Sequence, residues 1–253
     1  MTRRVTPDDD PAALARHVAA QPRPLLVGLD VDGVLAPIVD HADDAVLLRG
    51  ISEAISRLAT VEQVHVAVVS GRSLRDLDRF GFGPEVELVG SHGMETRDRP
   101  MDELTAAEQS RLAALVRAAE SAARSAGEGA WVEHKPASVV LHVRQAQSDP
   151  GSEALARLGA GAATIAGSTL KPGSGVLELF ARPADKGTAL IELSRQFRAA
   201  TTVFVGDDVT DEEAFARLGD GDVSIRVGGG ETLATYRLAD PAAVLGWLRA
   251  LST

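Results

Sequence analysis

The chain reads LLVGLDVDG over residues 25–33, an apolar run that ends in two aspartates and a glycine. The apolar part, Leu25–Leu29, does not alternate with polar residues, which is typical of a strand buried on both faces of a parallel sheet. Ligands of open α/β sheets bind beyond the carboxyl ends of the strands, where Asp30 and Asp32 follow. In extended backbone both side chains point the same way, and two converging carboxylates need a cation or a shared proton. Aspartates that merely cap a helix are the alternative at this point.

The same kind of apolar run recurs four times further along the chain, and helical patterns separate several of the runs. Strands that alternate with helices predict right-handed crossovers and a doubly wound α/β sheet. The further predicted strands are Val64–Val69, Val86–Val89, Thr202–Val205 and Val223–Val227, and the predicted helices are Pro11–Ala20, Leu48–Leu58, Leu74–Phe80, Thr188–Phe197 and Glu212–Leu218.

The middle of the chain has a different pattern. Three segments alternate apolar and polar residues, which predicts an antiparallel sheet with one face on helices and one face open. They are Trp131–Lys135, Ser138–Arg144 and Val176–Phe180, and helices are predicted at Leu104–Ala126 and Ser152–Ala163. We therefore expect a discontinuous core, residues 1–98 and 184–253, with an inserted α+β domain, residues 99–183.

Composition narrows the class of protein. The 253 residues are 45% hydrophobic and 25% charged, with a net charge of −10 and no cysteine. The absence of cysteine excludes a disulfide scaffold, a thiolate zinc site and a cysteine nucleophile. The acidic balance argues against nucleic-acid binding, which needs a basic surface. No apolar stretch approaches the ~20 residues that span a bilayer, and the charged N-terminus lacks the apolar core of a signal peptide. We expect a cytoplasmic protein with no membrane partner.

Two further signals lie next to predicted core elements. Ser70 and Gly71 end the second strand, where a hydroxyl and free backbone N–H groups suit a phosphate oxygen, although a turn that caps a helix has the same pattern. Lys186 opens the returning part of the core. Only three of the 26 basic residues are lysines (Lys135, Lys171 and Lys186), which raises the chance that each is needed as a compact cation.

Three more carboxylates, Asp207, Asp208 and Asp211, follow the predicted strand Thr202–Val205. Together with Asp30 and Asp32 they put too much negative charge on one edge of the sheet without a divalent ion. Oxygen ligands without histidine or cysteine predict a hard cation, and Mg²⁺ is the usual one.

The four signals in this order (Asp-x-Asp-Gly, Ser-Gly-Arg, a lysine, and Gly-Asp-Asp-x-x-Asp) resemble the haloacid dehalogenase superfamily of phosphatases. The resemblance implies that Asp30 is the nucleophile and Asp32 the general acid and base. It also implies that Ser70, Gly71 and Lys186 bind the phosphoryl group. Mg²⁺ would be held by Asp30, the backbone carbonyl of Asp32 and Asp207, with Asp208 and Asp211 supporting the metal and the lysine.

A narrower resemblance, to trehalose-6-phosphate phosphatases, comes from segments in and around the insert: GSHGME at residues 90–95, EHKP at 133–136, HVR at 142–144, and Glu178. It implies an enzyme of trehalose biosynthesis in which the inserted α+β domain, residues 99–183, is a cap domain that binds the sugar and sets substrate specificity. The substrate-binding residues would be Arg72, His92, Gly93, Glu133, Lys135 and Glu178. Two departures are Val34, where the family usually has threonine, and residues 171–175, which lack the usual Gly-Lys unless Lys171 serves from a shifted position.

Alternatives remain at this stage. Sucrose 6-phosphate or a glycosyl-glycerate phosphate could replace trehalose 6-phosphate as substrate. A catalytically silent sugar-phosphate regulator would be expected to lack Asp30, Asp32 or Lys186, and all three are present. Glu133 and Lys135 could form a surface ion pair, and His92 could be a core histidine. The length leaves no room for a glycosyltransferase domain, so a separate trehalose-phosphate synthase would make the substrate and could associate with this protein.

Overall fold

A computed structural model describes residues 10–39, 42–173 and 175–253. The chain divides into two compact units, the first formed by residues up to Met101 together with Asp185–Thr253, the second by Asp102–Ala184. The boundaries predicted from the sequence, 98/99 and 183/184, lie next to these. That the second unit sets specificity stays a prediction.

The first unit is a doubly wound α/β fold, as predicted. Its helices are α1 (Pro11–Ala19), α2 (Ile51–Ala59), α3 (Leu74–Asp78), α6 (Lys186–Phe197), α7 (Val209–Phe215) and α8 (Pro241–Leu251). Its strands are β1 (Leu25–Leu29), β2 (Val64–Val69), β3 (Val86–Gly90), β4 (Glu95–Thr96), β9 (Thr201–Gly206), β10 (Val223–Val227) and β11 (Tyr236–Leu238).

The order of the strands places the edge at which a ligand can bind. The seven strands run β11-β10-β9-β1-β2-β3-β4, and only β4 is antiparallel to its neighbour. From β1 the chain winds outward through β2 and β3, and it returns on the other side of β1 through β9. The winding direction therefore reverses between β1 and β9, and such a switch point opens a crevice at the carboxyl ends of the two strands.

Two apolar layers hold this sheet. One packs α1, α2 and α8 on one face, with Trp247 fully buried, and the other packs α6 and α7 on the opposite face around Phe204. Burial on both faces explains why β1 is apolar without alternation. Val34, the departure from the family pattern, belongs to the first layer and is fully buried, which suits a side chain without a hydroxyl.

The second unit is an α+β sandwich of one sheet and two helices. Its helices are α4 (Ala106–Ala126) and α5 (Ser148–Ala162), and its strands are β5 (Trp131–His134), β6 (Ser138–His142), β7 (Thr169–Gly173) and β8 (Val176–Phe180). The antiparallel order is β5-β6-β8-β7. The helices cover one face, where Val139, Leu141 and Leu179 are fully buried among them.

Several predicted bounds were wrong, each for a local reason. Helix α2 begins at Ile51 rather than Leu48, because Gly50 before it has a left-handed backbone with φ 96°. Helix α7 begins at Val209 rather than Glu212, because Asp208 caps it. Strand β7 was not predicted. It lies at the edge of its sheet, where Pro172 is tolerated since one side of the strand needs no hydrogen bonds.

Across the described ranges, none of the helices combines the length and the apolar character that a bilayer-spanning segment requires.

Candidate active site

The centre of the site is a buried lysine between two buried aspartates. Lys186 is the first residue of α6, and its Nζ lies 3.0 Å from Oδ2 of Asp30 and 2.9 Å from Oδ1 of Asp211. All three are almost completely buried. The side chain of Asp185 accepts the N–H of Gly187 and caps α6, so the helix begins at Lys186.

The loop after β9 is shaped by its own carboxylates. Asp208 accepts hydrogen bonds from the backbone N–H groups of Thr210 and Asp211, and Oδ2 of Asp211 accepts from the N–H groups of Asp207 and Asp208. This reciprocal capping box makes a rigid turn from the strand into α7. The other oxygen of Asp211 receives Lys186, so that Asp211 joins the loop to the lysine.

The carboxylates at this edge are buried close to one another, and this shifts their pKa values. Burial raises the pKa of Asp207 to about 7, helped by the neighbouring charges of Asp211 and Asp208. Burial also raises the pKa of Asp211 to about 6 and holds that of Asp30 well above its usual range, against the pull of Lys186. For Asp208, burial is outweighed by Lys186 and the Thr210 hydroxyl, so its pKa is lowered.

The same carboxylates form a cluster with metal-ligand spacing. One oxygen each of Asp30, Asp207 and Asp211 lies within 4.8 Å of the others. A group of hard oxygen donors whose charges repel one another fits a divalent cation such as Mg²⁺. The carboxylate of Asp32 is not part of this cluster, so any metal contact by Asp32 would use its backbone carbonyl, as the sequence resemblance implies.

Gly33 is required by the same geometry. Its φ is 74°, in the left-handed region that favours glycine, and a Cβ there would collide with the carboxylate of Asp207. The glycine of the Asp-x-Asp-Gly pattern therefore lets the aspartate after β9 approach the loop after β1.

The predicted phosphate-binding turn is held from both sides. Ser70 is buried at the end of β2, and its hydroxyl accepts the N–H of Arg72 at 3.2 Å. The guanidinium of Arg72 binds both carboxylate oxygens of Asp32, with Nε 2.8 Å from Oδ2 and Nη2 2.7 Å from Oδ1. The sequence predicted Arg72 as a substrate-binding residue and did not predict this pair.

His92 is buried next to this turn, and Gly93, which follows it, is half-buried. His92 is 5% exposed, its N–H donates to the carbonyl of Ser70 at 2.9 Å, and a Cβ on Gly71 would lie 2.5 Å from its Nε2. The burial favours a role in holding the turn, and substrate contact by His92 and Gly93 stays a prediction. Gly71 must be small because His92 packs against it.

The second unit collects polar groups on the sheet face that α4 and α5 do not cover. Lys135 Nζ lies 3.1 Å from Oε1 of Glu178, which also accepts the Ser138 hydroxyl at 2.6 Å. Glu133 Oε2 lies 2.9 Å from His142 Nε2. Burial would raise the pKa of Glu133, but the bond to His142 and the charge of Lys135 outweigh it and lower that pKa.

These contacts bring together the three residues that the sequence predicted to bind the sugar, Glu133, Lys135 and Glu178. Both residues bond to other strands: Lys135 bonds to Glu178 on β8, and Glu133 bonds to His142 on β6. We call the face formed by Glu133, Lys135, Ser138, His142, Lys171 and Glu178 the polar face.

Lys171 and Ser138 belong to this face but were not among the predicted site residues. The register pairs Lys171 directly with Glu178, so both side chains project from the same side of the sheet. Lys171 is 7% exposed, and its Nζ lies 5.7 Å from the centre of the Phe180 ring. The scarcity of lysine is the sequence signal that marks Lys171 as a candidate, although the sequence assigned it no place in the site.

The fold and the site together define a phosphatase of the haloacid dehalogenase type, with carboxylates and a lysine at the switch point of a doubly wound sheet. A family model for trehalose-phosphatases matches residues 28–242. The chain therefore belongs to the trehalose-phosphatase family and is a phosphoric monoester hydrolase.

Individual relatives agree with this family. A trehalose-6-phosphate phosphatase of Escherichia coli is 33% identical over 88% of this chain and 85% of its own length. A trehalose-phosphate phosphatase of Mycobacterium marinum is 36% identical over 88% of this chain and 60% of its own length, so that relative is longer. The C-terminal domain of the Candida albicans trehalose-6-phosphate phosphatase has the same fold, with a TM-score of 0.83 over 98% of both chains at 21% identity.

Proposed function

We propose that this protein hydrolyses trehalose 6-phosphate to trehalose and phosphate through an aspartyl-phosphate on Asp30, with Mg²⁺ as cofactor. The observation that carries the chemistry is Lys186 bonded to Asp30 at the switch point, beside the cluster with Asp207. The substrate follows from the names of the relatives and from the polar face of the second unit, whose carboxylates and lysines suit sugar hydroxyls.

Asp30, Asp207 and the backbone carbonyl of Asp32 are the groups that would hold Mg²⁺. The raised pKa values of Asp30 and Asp207 support this assignment, since such carboxyls lack a sufficient counter-charge and gain from a cation. When bound, Mg²⁺ supplies positive charge that offsets the repulsion between an anionic nucleophile and an anionic substrate.

In the first step a carboxylate oxygen of Asp30 forms a bond to phosphorus while the bond from phosphorus to the sugar oxygen breaks. Asp32 gives its proton to that oxygen, so trehalose leaves as a neutral alcohol. In the second step a water oxygen attacks phosphorus, its proton returns to Asp32, and the bond to Asp30 breaks. Lys186, Ser70 and backbone N–H groups near Gly71 bind the phosphoryl oxygens throughout.

The first test is phosphate release by the purified protein from a panel of sugar phosphates, with Mg²⁺ and with EDTA. The panel contains trehalose 6-phosphate, sucrose 6-phosphate, glucose 6-phosphate and a glycosyl-glycerate phosphate. We expect Mg²⁺-dependent turnover that is confined to trehalose 6-phosphate and is abolished in Asp30→Asn. Turnover of another member of the panel would change the substrate and keep the chemistry, whereas silence from folded protein would favour a sugar-phosphate-binding regulator.

A further inference from the structure

The carboxylate of Asp32 is fixed by two hydrogen bonds from one arginine. Both of its carboxylate oxygens receive the guanidinium of Arg72, at 2.7 and 2.8 Å. A two-point contact of planar groups restricts both the position and the rotation of the carboxylate. The guanidinium itself is nearly buried, with 10% of the side chain exposed, whereas 42% of the Asp32 side chain is exposed.

Arg72 is in turn held on three sides. Its N–H donates to the Ser70 hydroxyl, and its carbonyl accepts the N–H of Ser91 at 2.7 Å. The guanidinium carbon lies 5.4 Å from the centre of the Phe80 ring. A side chain fixed at its backbone and packed along its length loses little freedom when it binds, and such groups are pre-organised for their partner.

Glu95 stabilises the turn at Ser91, whose N–H binds the carbonyl of Arg72. One oxygen of Glu95 accepts the Ser91 hydroxyl at 2.7 Å and the N–H of Leu74, at the start of α3, at 2.9 Å. Ser91 and His92 have left-handed backbones with φ of 50° and 56°, which residues other than glycine adopt at a cost. The Glu95 contacts offset that cost and bind the turn to the helix that follows Arg72.

We propose that Arg72 is a positioning residue that orients the Asp32 carboxylate for its two proton transfers, rather than a ligand of the substrate. This inference rests on the proposed function, in which Asp32 protonates the leaving oxygen and then takes a proton from water. Arg72 keeps its own protons and takes part in no bond that forms or breaks. One of the two edges of its guanidinium, formed by Nε and Nη2, is occupied by Asp32.

The test compares two leaving groups in a single turnover with enzyme in excess, so that only the first step is measured. The alcohol of a sugar phosphate needs a proton to leave, whereas p-nitrophenolate leaves without one. In Arg72→Ala we expect release of trehalose to slow by about 100-fold, the scale of a misplaced catalytic group. Release of p-nitrophenolate should slow far less. Arg72→Lys should recover only part of the loss, since an ammonium cannot bind both oxygens in a plane.

Two further variants complete the design. Asp32→Asn should show the same selectivity with a loss of about 10²–10⁴, and the double variant with Arg72→Ala should lose no more than Asp32→Asn alone, because both act in one step. Arg75→Ala, an exposed arginine three residues along the chain, is the control and should match the unmodified protein on both substrates.

Other outcomes would overturn the inference. If Arg72 binds the substrate phosphate, its loss would weaken binding of both substrates and leave the first-turnover rates at saturation unchanged. If Arg72 is merely structural, both rates would fall together, in proportion to the folded fraction seen by circular dichroism. Failure of the proposed function is separate: if trehalose 6-phosphate is no substrate, any alkyl phosphate that the unmodified protein hydrolyses replaces it, and the leaving-group comparison still decides about Arg72.

Discussion

The carboxyl edge of the first unit and the polar face of the second both contain buried carboxylates bonded to a lysine, but their charge balance differs. In the described part of the chain, Asp30, Asp207, Asp208 and Asp211 surround Lys186, and the pKa is raised for three of these carboxyls, Asp30, Asp207 and Asp211. The polar face contains two lysines, Lys135 and Lys171, and two glutamates, Glu133 and Glu178, so their formal charges match, and the pKa of Glu133 is lowered.

This difference indicates what each region binds. A cluster with excess negative charge gains free energy from a cation, and a cation then makes an anionic substrate acceptable. A face whose charges already satisfy one another has no need of a counter-ion. It offers paired donors and acceptors, which a neutral ligand with many hydroxyls can match. This difference supports the proposal that the first region binds the phosphoryl group and the second binds the sugar.

The largest effect is expected from Lys186→Met. The change removes the phosphoryl contact and leaves Asp30 and Asp211 buried without their partner, so activity should fall by about 10³-fold or more on both trehalose 6-phosphate and p-nitrophenyl phosphate. Phosphate release at saturating substrate measures it. If Lys171→Met, on the polar face, lowered p-nitrophenyl phosphate turnover as much, the proposed difference in role between the two regions would be wrong.

Glu178→Gln tests the polar face. The variant weakens the ion pair with Lys135, so the KM for trehalose 6-phosphate should rise by about 10-fold, equivalent to one charged hydrogen bond. The kcat/KM for p-nitrophenyl phosphate, which carries no sugar, should be unchanged. Glu128→Gln, at an exposed glutamate that follows α4, is the matched control. Equal losses on both substrates would show that the polar face does not select the sugar.

The third prediction concerns Asp207 and how the stabilisation by Mg²⁺ depends on pH. Asp207 has a pKa of about 7 when folded and an ordinary value of 3.8. The folded state therefore holds this proton more tightly, and the stability it contributes is complete below about pH 4 and lost as the pH rises through about 7. Mg²⁺ takes the place of the proton, so the rise in Tm on adding Mg²⁺ should be larger at pH 8 than at pH 5.

Differential scanning fluorimetry with EDTA or saturating Mg²⁺ measures that rise. In Asp207→Asn, the Mg²⁺-induced rise should be small and almost independent of pH. A rise in the unmodified protein that is the same at both pH values would contradict the excess negative charge assigned to this edge.

The smallest effect is expected from Gly71→Ala. The added methyl group would lie 2.5 Å from Nε2 of His92, so the turn must shift and the free energy of unfolding should fall by about 1–3 kcal/mol. Urea denaturation measures it. His92→Ala opens the space, and the double variant should therefore lose less than the sum of the two single variants. Strict additivity would mean that the two residues do not press on each other.

The apolar pattern of single segments was sufficient to predict most strands of the first unit. Strands β1, β2 and β10 have the predicted bounds, because a strand buried on both faces is a continuous apolar run. The same reasoning did not cover β11 and α8, although Asp240 caps α8 before Pro241 in the same way as Asp10 caps α1 before Pro11. Strand β7 could not be found in this way because it is short, lies at the edge and contains Pro172.

The sequence by itself determined the doubly wound class, the inserted α+β unit and the set of carboxylates and lysines, since residue type and spacing along one strand or helix report on burial and charge. Only the tertiary structure decided which of these groups meet. Arg72 reaches Asp32 across 40 positions, Lys186 reaches Asp211 across 25, and Lys171 joins Glu178 through strand register. Such pairings depend on strand order and register, which bring distant segments together and leave no signal in any short stretch of the chain.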